Sequence, residues 1–150
     1  MAEDRNELLT HYAQMREALL GAIDGLTDDQ LSEVTLDGWS VSDHLMHLAA
    51  WDEIRATEVR RISAAHESVW RLRAEQEETY NAIMHDLRHG LSAVQAKWEL
   101  ATSRQRLVDA IEAASERGLD GSLYGEAGLR STHEAEHTGW INRWRGERGY

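Results

Sequence analysis

A pair of histidines near the C-terminus has the spacing of a metal site. His133 and His137 lie four residues apart within segment 129–140, and four residues make about one helical turn. On a helix, two such imidazoles lie on one side and roughly 6 Å apart in height, so both can bind one metal ion. Ile141 and Trp144 continue the same stripe, which predicts that the pair faces the protein interior.

A metal site built on this pair needs a third ligand from another helix. His47 is the best candidate, because it shares a stripe with Trp51. His44 is the alternative, since it falls on that stripe one turn nearer the helix start. A second pair with the same spacing, His85 and His89, is predicted to lie on the surface, opposite the apolar residues around it.

Acidic residues near the candidate ligands could orient the imidazoles. Asp43, Glu134 and Glu136 lie close in sequence to the candidate ligands and could accept a proton from the ring nitrogen that does not bind metal. The alternative interpretation is that the histidines are core or boundary residues, hydrogen-bonded to carbonyl groups or to these carboxylates.

The composition favours a single helical domain and a cytoplasmic location. A chain of 150 residues can form one core, so residues 1–150 are predicted to be a single domain. Proline and cysteine are both absent, which favours uninterrupted helices and excludes disulfides and thiolate ligands. The polar N-terminus does not resemble a signal peptide, and no apolar run approaches the ~20 residues that cross a bilayer. We therefore expect a soluble, cytoplasmic protein without a membrane partner.

The net charge of -11 disfavours nucleic acid as a partner, because binding it requires basic residues that neutralise phosphates. Basic residues do cluster twice, at Arg55, Arg60 and Arg61 and at Arg143, Arg145 and Arg148. Acidic residues are interleaved with both clusters, which indicates solvated helix surfaces.

Periodic apolar residues predict an all-α fold. Four long helices are expected, over about 4–23, 40–64, 92–116 and 132–145. A weaker helical pattern over 66–89 predicts at least one more helix in the long connection between the second and third of them. Amphipathic helices of this kind form a bundle, and metal sites in bundles form from side chains on facing helices.

Segment 39–51, Trp-Ser-Val-Ser-Asp-His-Leu-Met-His-Leu-Ala-Ala-Trp, followed by the late histidine pair, resembles the signature of the DinB-like/YfiT-like superfamily. The resemblance covers nearly the whole chain. It implies an up-down-down-up four-helix bundle and a divalent metal, zinc or nickel, held by His47, His133 and His137. Late features such as Tyr124-Gly125 are also similar to ClbS/DfsB-type bundles, some of which lack the metal triad.

The resemblance also implies an activity. Members of the superfamily are similar to thiol S-transferases that use low-molecular-weight thiols such as mycothiol or bacillithiol, and others to metal-dependent hydrolases. We therefore expect one of these reactions on a small electrophilic substrate, in stress or detoxification, and a homodimer is compatible with the resemblance. Two alternatives stay open: a non-enzymatic bundle that binds a small molecule or a protein, and a metal-free protective hydrolase.

Aromatic residues are expected to wall the cavity around such a metal and to contact the substrate. The candidates are Trp39, Trp51, Trp140 and Tyr12. Aromatic residues at helical spacing are more often core residues, so packing is the competing interpretation. No residue stands out as a general base.

Overall fold

The described part of the chain folds into four long helices and two shorter ones. The computed structural model describes residues 1–34 and 36–150. The helices are α1 (Arg5–Ile23), α2 (Asp28–Leu31), α3 (Val41–Ser63), α4 (Ala74–Arg88), α5 (Ala93–Glu112) and α6 (His133–Arg148). Two short 3₁₀ turns, Arg117–Leu119 and Gly121–Leu123, connect α5 to α6. None of the described helices is long and apolar enough to cross a membrane.

The predicted all-α bundle is confirmed. The long helices α1, α3, α5 and α6 form the up-down-down-up bundle, and α4 is the extra helix in the crossover. The most extensive packing is between α3 and α5, followed by that between α1 and α6. The two larger apolar clusters of the core lie one above the other along these helices, with Leu45 and Leu100 in one and Tyr12 and Leu107 in the other.

Side-chain caps explain where α2 and α3 begin. Ser40 Oγ accepts the Asp43 N–H at 3.1 Å, and Asp43 Oδ2 accepts the Ser40 N–H at 2.8 Å. Thr27 and Gln30 make the same reciprocal pair at the start of α2. Each pair satisfies backbone donors that a helix N-terminus leaves without a partner, so it stabilises the start of its helix.

A layer of buried charge separates the two apolar clusters. Each long helix contributes to it: Arg16 from α1, Asp52 and Arg55 from α3, Arg104 from α5 and Glu134 from α6, none of them with a side chain more than 11% exposed. Asp52 accepts hydrogen bonds from Arg104 at 2.9 Å and from Arg16 at 3.2 Å. Glu134 accepts from Arg16 at 2.8 Å and from Arg104 at 3.2 Å. The expectation that Arg55 lies on a solvated surface is therefore wrong.

The connection between α3 and α4 differs from the sequence-based expectation. The predicted pattern over 66–89 becomes helical only from Ala74, and Trp70 packs on the Trp51 cluster from the non-helical segment before it. On α4 the outward residues are Ile83 and Leu87, which are 52% and 70% exposed. His85, predicted to lie on the surface, is half-buried and stacks on Trp39 with 4.8 Å between ring centroids.

Removing one carboxylate from the charged layer should destabilise the fold strongly. Asp52→Asn keeps the side-chain shape but removes the ion pair of Arg55 and leaves Arg16 and Arg104 to share Glu134. We expect the free energy of unfolding, measured by urea denaturation, to fall by about 3–5 kcal/mol.

The neighbouring Glu53→Gln is the matched control. Glu53 forms an ion pair with Arg106, whose side chain is 54% exposed, so its loss should lower the free energy of unfolding by less than about 1 kcal/mol. Equal effects of the two substitutions would contradict a structural role for the charged layer.

Candidate metal centre

Three imidazoles from two helices meet at one end of the charged layer. His47 comes from α3, and His133 and His137 come from successive turns of α6. The Nε2 atom of His133 lies 2.9 Å from that of His137 and 3.5 Å from that of His47. One nitrogen of each ring lies within 4.8 Å of the others. Ligands about 2.0–2.1 Å from a tetrahedral zinc ion are about 3.3 Å apart, so this spacing fits one divalent ion.

His44 lies behind this triad instead of joining it. Its Nδ1 is 2.7 Å from the Nδ1 of His137, the nitrogen on the far side of the ring from His133. Both rings are buried, at 6% and 3% exposure. If His137 donates its Nδ1 proton to His44, its Nε2 keeps a lone pair for a metal. Of the two candidates on α3, His47 therefore meets the late pair, and His44 is placed to orient His137.

Two of the three carboxylates expected to orient the histidines have other partners, so the prediction is wrong for Glu134 and Asp43. Glu134 is held by Arg16 and Arg104 in the charged layer. Asp43 caps α3, and Glu136 is exposed.

Burial keeps the four clustered imidazoles neutral. Loss of solvation lowers the pKa of His44 to about 4, of His47 to about 3 and of His137 to about 2, and neighbouring imidazoles add to the shift for His47 and His137. Burial also lowers the pKa of His133, although the Glu136 carboxylate opposes this. Metal ions bind the neutral form of imidazole, so these rings are ready to bind without losing a proton at pH 7.

A cleft of about 300 Å³ opens above the triad. Its walls come from the loop before α3, from α3 and from α6, and consist of Leu36, Asp37, Trp39, His44, His47, His133, His137 and Trp140. A metal at the triad would therefore be reachable from solvent. This arrangement is typical of catalytic metal sites, which keep a coordination position open, and unlike that of closed structural sites.

A tight turn places one wall of the cleft. Leu36 and Trp39 exchange two backbone hydrogen bonds of 3.0 Å around Asp37 and Gly38, whose φ angles are 54° and 84°. Asp-Gly is a favoured pair for a turn with two positive φ angles. Asp37 is the one carboxylate among the described residues that border the cleft, and sequence reasoning missed it. The Asp-Gly pair directly before Trp39 was the available signal.

Two of the four predicted wall residues border the cleft. The Trp39 ring contacts His47 with 5.4 Å between centroids, and the Trp140 ring contacts His137 at 4.7 Å. Trp140 is 39% exposed, because it lies at the mouth of the cleft instead of in the core.

The other two predicted wall residues lie in the core. Trp51, one turn after His47, is covered by α4, and its Nε1 donates to Asn81 Oδ1 at 2.9 Å. Tyr12 is 1% exposed, and its hydroxyl donates to the Leu129 carbonyl. Neither side chain borders the cleft; both instead line a small cavity of about 10 Å³ on the core side of His133.

Replacing His44 should weaken metal binding while the three triad histidines remain. His44→Leu fills the same space but cannot hydrogen-bond to His137, and loss of such an orienting contact typically lowers metal affinity 10–100-fold. The zinc dissociation constant can be measured by competition with a chelator. Met46→Leu, a buried neighbour on α3, is the control and should leave the affinity unchanged. Equal affinities of the two variants would mean that His44 only packs.

The metal-free protein should lose stability in mild acid. Below pH 6.5 the unfolded chain protonates its histidines, whereas the buried imidazoles, with lowered pKa values, stay neutral. Protons then favour the unfolded state, so the free energy of unfolding falls as the pH drops, by up to about 1.4 kcal/mol per pH unit for each imidazole.

Urea denaturation with chelator at pH 7.5, 6.0 and 5.0 measures this effect. In His44→Leu the free energy of unfolding should fall less steeply with decreasing pH, by up to about 1.4 kcal/mol per pH unit. This is the contribution of one proton, because the substitution removes one of the imidazoles with a lowered pKa. The same slope in both proteins would show that His44 titrates normally.

Comparisons with known proteins agree with this architecture. The crystal structure of an uncharacterised protein from Escherichia coli UTI89 shares the fold, with a TM-score of 0.77 and 15% sequence identity over 97% of this chain and 94% of that chain. No functionally curated protein matches the chain. Residues 11–141, most of the chain and all three triad histidines, match the DinB superfamily. The protein therefore belongs to the DinB superfamily.

Proposed function

We propose that the protein is a divalent-metal-dependent enzyme that joins a low-molecular-weight thiol to a small electrophilic substrate. The observation that carries the proposal is the meeting of three neutral imidazoles below an open cleft. His47, His133 and His137 would hold a zinc or nickel ion, which fits their nitrogen chemistry and spacing. Such an ion lowers the pKa of a thiol or water that enters the cleft.

The cleft supports thiol transfer better than hydrolysis. Hydrolases commonly add a group that takes a proton from the attacking water, but the histidines around the cleft would serve as ligands or, for His44, contact a ligand. Asp37, the remaining titratable group there, is exposed at the rim. A thiol, with an ordinary pKa of about 8.5, ionises far more easily and needs no such base.

The reaction balances without a further reactant. The thiol sulfur forms a bond to the electrophilic carbon, the electron pair of the broken bond leaves with the departing group, and the thiol proton passes to solvent. Trp39 and Trp140 would hold the organic part of the substrate between apolar surfaces and exclude water from it. A volume of about 300 Å³ suits a small molecule. Conjugation of this kind removes reactive compounds, which supports a role in stress or detoxification.

Metal content is the first test of this proposal. Untagged protein, passed through gel filtration and analysed by mass spectrometry, should contain near one zinc or nickel ion per chain. His137→Ala should lose it, because only two imidazoles remain. His66→Ala, which removes an exposed histidine, should retain it. Little metal in the wild type, even after reconstitution, would contradict the metalloenzyme proposal.

Activity distinguishes the remaining alternatives. Thiol consumption with model electrophiles should depend on metal and fall at least 100-fold in His137→Ala or after chelation. Hydrolysis that survives chelation would favour a metal-free protective hydrolase. Metal binding without turnover across a broad panel of thiols and electrophiles would favour a non-enzymatic binding bundle.

A further inference from the structure

We propose that the last turn of α4 carries a second metal site, formed by His85, Asp86 and His89. One ligand atom from each residue lies within 4.8 Å of the other two. The two imidazoles are one turn apart, with 5.5 Å between centroids and 23° between ring planes. Two imidazoles and a carboxylate suit Zn²⁺, Ni²⁺ or Cu²⁺.

The surroundings of each imidazole of this site leave one ring nitrogen accessible to a metal. His89 Nδ1 lies 3.0 Å from the Asp86 carbonyl, and donation to that oxygen leaves Nε2 with its lone pair. His85 Nε2 is shielded from solvent and lies 3.5 Å from Asp43 Oδ2 without a hydrogen bond between them, so Nδ1 is the nitrogen that a metal could reach. The His89 contact to a backbone carbonyl is of the kind that usually orients metal-binding histidines.

The position on the helix favours a cation. The site lies at the C-terminal end of α4 (Ala74–Arg88), where backbone carbonyls without helical partners carry partial negative charge. Asp86 adds a full negative charge. Arg88, the nearest cation along the helix, has its Nη1 3.4 Å from the sulfur of Met84.

The site shares a side chain with the cleft. Trp39 stacks face to face on His85, with 7° between ring planes, and contacts His44 and His47 edge-on. A metal that holds His85 would therefore fix one wall of the cleft. His89 is exposed, so we expect the α4 site to bind more weakly than the buried triad and to lose its metal during gel filtration.

Calorimetric titration of untagged, metal-free protein with Zn²⁺ tests the second site. The wild type should bind two ions per chain in two steps, and His89→Gln should raise the dissociation constant of the weaker step at least tenfold while the tighter step is retained. His66→Gln, another exposed histidine, is the control and should keep both steps. His137→Ala should lose the tighter step alone.

Three results would overturn the proposal. They are a single binding step in the wild type, a weaker step that is unchanged in His89→Gln, and a weaker step that is lost in His66→Gln as much as in His89→Gln. The test is independent of the proposed activity. If the triad binds no metal, the tighter step, which His137→Ala should abolish, will be missing. If the α4 site binds no metal, the weaker step, which His89→Gln should weaken, will be missing.

Discussion

The buried ion pairs between two carboxylates and three guanidinium groups decide how the four long helices meet. Asp52 and Glu134 each bind both Arg16 and Arg104, so every long helix is joined to the others at one level. A buried charge that loses its partner is strongly destabilising. Sliding one helix by a turn would separate these ion pairs. The displaced charges would then lie against the apolar clusters, whose side chains cannot form ion pairs with them.

That layer also fixes the height of the metal centre. Glu134 follows His133 directly on α6, and Asp52 lies little more than one turn after His47 on α3. The pairs that align α3 with α6 therefore bring His47 level with the late histidine pair. On α6, neighbouring positions point to different sides of the helix, so His133 points toward the cleft and Glu134 toward the arginines.

The histidine cluster itself favours a bound cation. His133 Nε2 faces two other Nε2 atoms, at 2.9 and 3.5 Å, but a neutral ring has one proton to share. Lone pairs therefore face one another at a buried position, where low pKa values prevent further protonation. A divalent ion at the centre of the three nitrogens would satisfy them all.

Much of this architecture follows from local sequence rules. The Ser40 cap, the helical periodicity and the spacing of His133 and His137 predict the elements and the pair correctly. The sequence does not show that Arg104 is buried, because a charge on a helix is usually solvated, although its place between Leu100 and Leu107 on the buried stripe was a signal.

The remaining errors concern the packing of one helix on another. Whether Trp51 borders a cleft or the core depends on α4, whose position is set by contacts distant in sequence. The same holds for His85, which faces Trp39 only because α4 packs against the start of α3. Periodicity within one helix carries no information on which neighbour covers it.

If α3 and α6 together supply three imidazoles to one divalent ion, the ion's ligands can be identified by X-ray absorption spectroscopy of the protein loaded with one equivalent of zinc. We expect three imidazole nitrogens at about 2.0–2.1 Å, together with one further light ligand from solvent. A shell made only of oxygen ligands, without scattering from imidazole rings, would contradict it.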